Sequence, residues 1–246
     1  MNQLIGGLSG TKVGCSVDGT MINNISYADD MVLLSPSVNA LRKLLYICES
    51  YAQSHGLKYN ASKSVLMVFK AGNKAPSNVP PIKIAGSALE RVSKVKYLGH
   101  MLTETLLDDE DLERERRALA VRCNMLARRF ARCTTDVKLL LFRAFCQSFY
   151  TCSLWIRFTR RAYNALRVQY NDAMRAVLRK PRCCSASAMF ADASIDDFFC
   201  IIRKRTASMM SRVRSSANAV LRTLAYKIDS PFIVYWASVH LLRNKK

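Results

Sequence analysis

The sequence predicts an α+β chain: a partial antiparallel sheet with one packing helix over residues 1–107, then an all-helical segment over residues 108–246. Three observations carry this expectation. As far as His100, short runs of strand-forming residues alternate with turn signals, the pattern of hairpins. From residue 108 onward, apolar residues recur only at the spacing of amphipathic helices. The charge divides at the same place: residues 1–107 hold 11 Lys and Arg against 6 Asp and Glu, and residues 108–246 hold 27 against 12.

The 246 residues are half apolar, enough to bury a core in one large or two small domains. Their net charge of +20 calls for a polyanionic partner, nucleic acid before membrane. Nine cysteines without a Cys-x-x-Cys pair, and three isolated histidines, His55, His100 and His240, argue for a reducing compartment and against a zinc site or disulfide framework. With no leader and no uncharged run of bilayer length, an intracellular protein of the cytoplasm or nucleus is expected.

Met1 to Ile5 read as the end of a helix stopped by Gly6-Gly7, as though cut from a longer chain. Val13, Cys15 and Val17 alternate as in a half-buried strand, Asp18-Gly19 supplies a hairpin turn, and the next strand climbs to an acidic tip at Asp29. Ser35-Pro36-Ser37 then opens a helix with Leu41, Leu44, Leu45, Cys48, Tyr51 and His55 on its stripe, closed by Gly56. A strand is expected from Val65 to Phe69, a loop over residues 71–81, and strands near Ile82–Ile84 and Val92–Tyr97. The acidic run Asp108-Asp109-Glu110-Asp111 starts a long helix that ends among Arg128, Arg129 and Arg132, a polarity that suits the helix dipole. Further helices are expected over 134–152, 161–180, 194–215 and 217–227, with a short apolar segment after Pro231.

The chemistry concentrates in Ile25-Ser26-Tyr27-Ala28-Asp29-Asp30-Met31-Val32-Leu33-Leu34, two apolar runs joined across a turn with adjacent carboxylates. An exposed turn would explain the aspartates, which are common there. A divalent cation between them would also relieve their repulsion, and Mg²⁺ suits a few hard oxygens with room left for phosphates. Tyr27-Ala28-Asp29-Asp30 resembles the Tyr-x-Asp-Asp motif of reverse transcriptases. The run Asn24 to Ser37 resembles the palm domain of polymerases from non-LTR (LINE-like) retrotransposons. The resemblance is strongest over 24–69 and continues in order through Lys96-Tyr97-Leu98-Gly99-His100 and residues 166–218.

That resemblance implies a palm over 1–107 and a basic helical thumb over 108–246, in an RNA-directed DNA polymerase that uses two-metal nucleotidyl transfer. Asp29 would coordinate Mg²⁺ with Asp30 assisting. Tyr27 would line the nucleotide or primer side, and Lys63, after Asn60, would face the leaving pyrophosphate. Tyr97, Leu98, Gly99 and His100 would support the primer. Arg116, Arg117, Arg122, Arg128 and Arg129 are the residues expected to meet nucleic acid, each also readable as a solvated helix face. The implied partners are an RNA template, a DNA primer or RNA/DNA hybrid and deoxynucleoside triphosphates.

In this family the fingers and a first palm carboxylate lie upstream of the tyrosine motif, and neither is present. Asp18, eleven residues before Asp29 and so about 35 Å away along an extended strand, reads as a turn residue and no substitute. The chain is therefore expected to be inactive alone and to expose an unpaired strand edge. The alternatives are a non-catalytic, retroelement-derived nucleic-acid-binding protein and a decayed fragment.

Overall fold

The computed structural model describes residues 2–17, 19–70, 74, 76, 78–227 and 230–241. The chain is a mixture of helices and small strand pairs that gathers into two compact units, residues 1–93 with 216–229, and residues 94–215 with 230–246.

The first unit opens with α1, Asn2–Gly10, which runs straight through the glycines expected to stop it. Packing is the reason. Leu4 and Leu8 are buried against Leu44 and Cys48, and a buried leucine contributes about 1.5–3 kcal/mol, which offsets roughly 1 kcal/mol per interior glycine. Next come the hairpin of β1, Cys15–Val17, and β2, Thr20–Ile22, and the hairpin of β3, Asn24–Tyr27, and β4, Asp30–Leu33. In β1/β2, Val17 pairs with Thr20 and Gly19 takes φ +73°, while Asp18 lies outside the described residues.

The single strand expected to climb from that turn to Asp29 is broken at Asn23, whose side chain is 1% exposed. Its amide donates to the Leu8 and Val13 carbonyls at 2.6 and 2.8 Å, and its own backbone carbonyl accepts from Leu34 N at 2.8 Å. Asn23 thus ties α1 to both hairpins. Gly14 is required beside it: at φ +120°, an added Cβ would stand 2.3 Å from Asn23 Cβ.

Helix α2, Val38–Ser54, begins as its sequence dictates, with Ser37 Oγ accepting from Ala40 N at 3.2 Å. It ends in a Schellman arrangement, Gly56 at φ +64° and Leu57 N bonded to Ala52 O at 2.8 Å. Leu44, Leu45, Cys48 and Ala52 are buried along its stripe, while His55 is exposed and stacks on Tyr51 at 3.9 Å. A 3₁₀ turn, Ala61–Lys63, leads to β5, Val65–Leu66, a shorter strand than expected, paired in parallel with β8, Glu90–Arg91. Between them lies the hairpin of β6, Lys83–Ile84, and β7, Ser87–Ala88, where Ile82 and Ile84 bury against Leu45. Residues 71–73, 75 and 77 of the expected loop lie outside the described residues. The chain re-enters this unit through a short helix, Ala219–Arg222, capped by Asn218, and a π-helical turn, Thr223–Lys227. Among the described residues, five separate two-stranded pairs replace the one antiparallel sheet expected, and one of the five is parallel.

The second unit starts with the hairpin of β9, Lys94–Tyr97, and β10, His100–Thr103, followed by α3, Asp109–Arg129. Its core lies between α3 and α5, Arg160–Leu178: Leu112, Leu119, Cys123 and Leu126 meet Leu166, Tyr170, Ala173, Met174 and Val177. Helices α4, Thr135–Cys146, α6, Ala186–Asp192, and α7, Phe198–Arg214, add Phe142, Phe190, Phe198 and Ile202. The helix expected over 134–152 stops at Cys146 because the following residues bond elsewhere: the Gln147 amide donates to the Tyr170 hydroxyl at 3.0 Å, and Phe149 turns into the core. The helix expected over 194–215 begins at Phe198, capped by the Asp197 side chain, and α6 is a helix that was not expected. The apolar segment after Pro231 is a helix, Pro231–Leu241, whose Trp236 indole donates to Ser153 O at 2.6 Å. Burial pushes the Cys146 and Cys152 thiols up to about 12, so both stay protonated and serve packing.

Candidate functional site

The acidic hairpin is built by cross-strand pairs. Asn24 faces Leu33, Ile25 faces Val32, Ser26 faces Met31 and Tyr27 faces Asp30, leaving Ala28-Asp29 as a two-residue turn with Ala28 at φ +50°. Asp29 therefore stands at the tip and Asp30 starts β4. Paired residues share a face. One face, with Met31 and Leu33, packs on the cluster of Leu4, Leu8, Leu44 and Cys48. The other presents Tyr27, 65% exposed, and Ile25, 46% exposed, beside Asp30 and Val32. Asp29 and Asp30 are both exposed, and their carboxylates make no hydrogen bond or ion pair with another described residue.

Lys63 closes the 3₁₀ turn that Asn60 caps, the Asn60 side-chain oxygen accepting from Lys63 N at 3.2 Å and from Ser62 Oγ at 2.7 Å. Asn60 thus shapes the turn, and Lys63 is left exposed. Asp29, Asp30, Tyr27 and Lys63 belong to the first unit; the other candidate residues belong to the second.

In the β9/β10 hairpin, Tyr97 pairs with His100, so Leu98 and Gly99 form the turn, at φ +46° and +86°. Positive φ at both positions is the mirror-image turn whose twist suits a two-residue hairpin. Gly99 takes it freely; Leu98, 51% exposed, does so at a cost of about 1–2 kcal/mol. His100 lies only 9% exposed between two carboxylates, its Nδ1 3.1 Å from Asp111 Oδ2 and its Nε2 3.7 Å from Asp108 Oδ1.

The acidic run that starts α3 is wholly engaged. Asp108 Oδ2 accepts from Ile156 N and Arg157 N, each at 2.8 Å. Asp109 Oδ1 accepts from Thr159 N at 3.0 Å and Thr159 Oγ1 at 2.8 Å, and Glu110 meets Lys94 Nζ at 3.2 Å. Asp111 is fully buried. Its Oδ1 takes Met101 N at 3.0 Å and Arg114 Nε at 2.7 Å, and its Oδ2 takes, besides His100, Thr151 Oγ1 and Trp155 Nε1, each at 2.7 Å. Burial raises the cost of the charge on Asp111, but the bonds from His100, Arg114, Trp155 and Thr151 overcome it and hold its carboxyl far below the usual range. Asp108, with burial dominant over its two backbone bonds, is shifted up.

Three of the five candidate arginines are paired along α3. Arg116 and Arg117 both bond Glu113, at 2.6 and 2.7 Å, and the Arg116 hydrogen bond leads in lowering the Glu113 carboxyl to about 2. Arg122 bonds the buried Glu115. Arg128 and Arg129 are exposed in the last turn. A feature the sequence hid is Tyr150, 78% exposed, with the Arg205 guanidinium 5.9 Å from its ring centroid. Such a pair offers a flat aromatic face and a cation to a nucleic-acid base. Spacing along one helix can reveal neither partner, because the two are 55 positions apart in sequence.

Among the described residues no group of three or more His, Cys, Asp or Glu side chains is placed to hold a metal ion, and no helix is long and apolar enough to cross a membrane. The description "reverse transcriptase (RNA-dependent DNA polymerase)" belongs to the family whose pattern matches residues 1–102, a stretch that includes the acidic hairpin, Lys63 and the Leu98-Gly99 turn. A probable RNA-directed DNA polymerase from transposon BS of Drosophila melanogaster is 25% identical over 211 residues, which cover 81% of this chain and 23% of that protein. The chain thus spans less than a quarter of the length of this curated relative. On these matches residues 1–102 resemble the reverse transcriptase family, and most of the chain is similar to part of a transposon's RNA-directed DNA polymerase.

Proposed function

We propose that the chain is the later part of a non-LTR retrotransposon polymerase, palm over 1–107 and basic thumb over 108–246, which grips an RNA template paired to a DNA primer. The observation that carries this reading is the outer face of the acidic hairpin, where Tyr27, Asp29 and Asp30 are exposed and unengaged by other described residues while the opposite face is packed. A carboxylate pair at a hairpin tip, Asp29 in the turn and Asp30 at the start of β4, is suited to a ligand of opposite charge.

Polymerases of this family generally depend on divalent metal, and Asp29 and Asp30 would present hard oxygens to Mg²⁺. A two-metal centre needs a further carboxylate besides this pair, and the chain alone is expected to be inactive. Lys63 would face the triphosphate, residues 97–100 would form the primer-side hairpin, and Arg128, Arg129 and the Tyr150–Arg205 pair would meet the nucleic acid. Arg116, Arg117 and Arg122 give part of their charge to Glu113 and Glu115, so their share of phosphate binding is smaller.

Primer extension on an RNA template with Mg²⁺, beside salt-dependent binding of an RNA/DNA hybrid, tests the reading. Hybrid binding without synthesis, unchanged or strengthened in the Asp29→Asn, Asp30→Asn variant, is expected of the chain alone. Absence of hybrid binding overturns the grip, and synthesis that disappears in the variant overturns the inactivity. The basic surplus of residues 108–246 also fits a second reading, a non-catalytic nucleic-acid-binding protein derived from a retroelement. Addition in trans of the segments that precede the tyrosine motif in polymerases of this type separates the two, since only a palm would then support synthesis.

A further inference from the structure

The turn assigned above to the primer side contains a leucine in a left-handed conformation, and that leucine is half exposed, so its own burial does not hold it there. Strain of this kind persists only where flanking structure over-determines it. The flanking structure is the first turn of α3. His100, immediately after the turn, is buried between Asp108 and Asp111; Met101 N donates to Asp111 Oδ1 at 3.0 Å; and at the other end of the hairpin Lys94 Nζ reaches Glu110 at 3.2 Å. The same Asp111 carboxylate holds Thr151 and Trp155, so the hairpin, the start of α3 and the 151–155 turn share one buried anion.

We propose that His100 and Asp111 are positioning residues that hold the exposed Leu98-Gly99 turn in its strained, presented form, and that His100 does not itself touch nucleic acid. The proposal rests on the reading of residues 97–100 as the primer-side hairpin, and it changes the part His100 plays in that reading. A ring that is 9% exposed and aimed at two carboxylates is spent inside the protein. Leu98 and the Gly99 backbone are what the hairpin offers outward. The arrangement at the anchor fits the role: Asp111 meets Arg114, His100 and three neutral donors, so every lone-pair direction of this buried carboxylate is occupied and the hairpin cannot swing without leaving it unsatisfied.

The test uses the full chain with His100→Ala, His100→Gln and Leu98→Gly, and two readouts: amide hydrogen exchange over residues 98–103, and hybrid affinity measured across a salt series. His100→Ala is expected to speed exchange in the hairpin about tenfold or more while the α3 and α5 amides stay protected. It is also expected to weaken hybrid binding about fivefold to twentyfold with the salt slope unchanged, because no group that neutralises a phosphate is removed. His100→Gln, long enough to donate to Asp111, restores both. Leu98→Gly, which lifts the strain but not the anchor, leaves exchange near wild type.

Unchanged hairpin exchange in His100→Ala overturns the anchor. Normal exchange with a salt slope reduced by about one unit overturns it in favour of direct phosphate binding by His100. Should the alanine variant fail to fold, His100→Asn, too short to reach Asp111, decides by the same readouts. If the wild type binds no hybrid, the primer-side reading falls, and exchange alone still judges whether His100 holds the turn.

Discussion

Two clusters of adjacent carboxylates meet opposite fates in this chain. At the β3/β4 turn, Asp29 and Asp30 stand exposed with no described partner, and at the start of α3 every member of Asp108-Asp109-Glu110-Asp111 is bonded. The difference lies in what the fold brings to them. The partners of Asp108, Asp109 and Asp111 include residues 151–159, some 40 to 50 positions along the chain, delivered by the return of α5 onto α3. Nothing described is delivered to the hairpin tip. An acidic run whose charge is consumed inside the protein builds structure, and one whose charge is left over is available to a ligand.

Removing one carboxylate from each cluster puts this contrast at greatest risk. Asp111→Ala should cost about 3–5 kcal/mol, since it strands the buried His100 and Trp155 donors and the partly buried Arg114 at once, whereas Asp29→Ala should stay within about 0.5 kcal/mol. Denaturant unfolding of the two variants measures both, and equal losses would dissolve the contrast. Next in size is the support beneath the acidic hairpin. Gly14→Ala should cost about 2–4 kcal/mol, from the forbidden φ and the clash with Asn23, with the first unit losing hydrogen-exchange protection before the second.

A smaller effect separates spent from available arginines. Arg122→Ala should destabilise by about 1–3 kcal/mol, because Glu115 is buried. Arg128→Ala with Arg129→Ala should leave the unfolding midpoint alone and instead reduce the salt slope of hybrid binding by about one unit for each phosphate no longer neutralised. The smallest effect is the pH dependence at Glu113. Its folded-state value of about 2 lies below the usual 4.5, so its contribution is full above pH 4.5 and is lost as the pH falls from 4.5 towards 2. Glu113→Gln should flatten the fall in stability across that window, and the effect should shrink in high salt because Arg117 is mostly exposed.

Much of the local architecture was legible. The acidic hairpin, α2 with its Ser37 and Gly56 ends, and α3 with acid at its start and arginine at its end follow from turn chemistry, capping and helical spacing, all of which act within a few residues. The misreadings share one cause. α1 continues through Gly6-Gly7 because Leu4 and Leu8 find Leu44 and Cys48, and the strand before Asp29 breaks because Asn23 finds Leu8 and Val13. At the candidate site, the hairpin that carries Tyr27, Asp29 and Asp30 was readable from its residues and the hairpin at Leu98-Gly99 only through the family resemblance, while the positive φ of Leu98 was not foreseen. The burial of His100 and the pairing of Arg122 were not, since neither residue type announces whether its partner is water or a carboxylate.

The mixed α and β composition, the two acidic motifs, the basic surplus after residue 108 and the family likeness of the first part all follow from the amino-acid order, because these are properties of neighbouring residues and of counting. Which carboxylates are spent and which are left, and with that which histidine and which arginines remain available, was settled only when distant segments came together. The physical reason is that the worth of a charge depends on its surroundings: water satisfies an exposed aspartate cheaply, while a buried one must be met by donors gathered from distant parts of the chain.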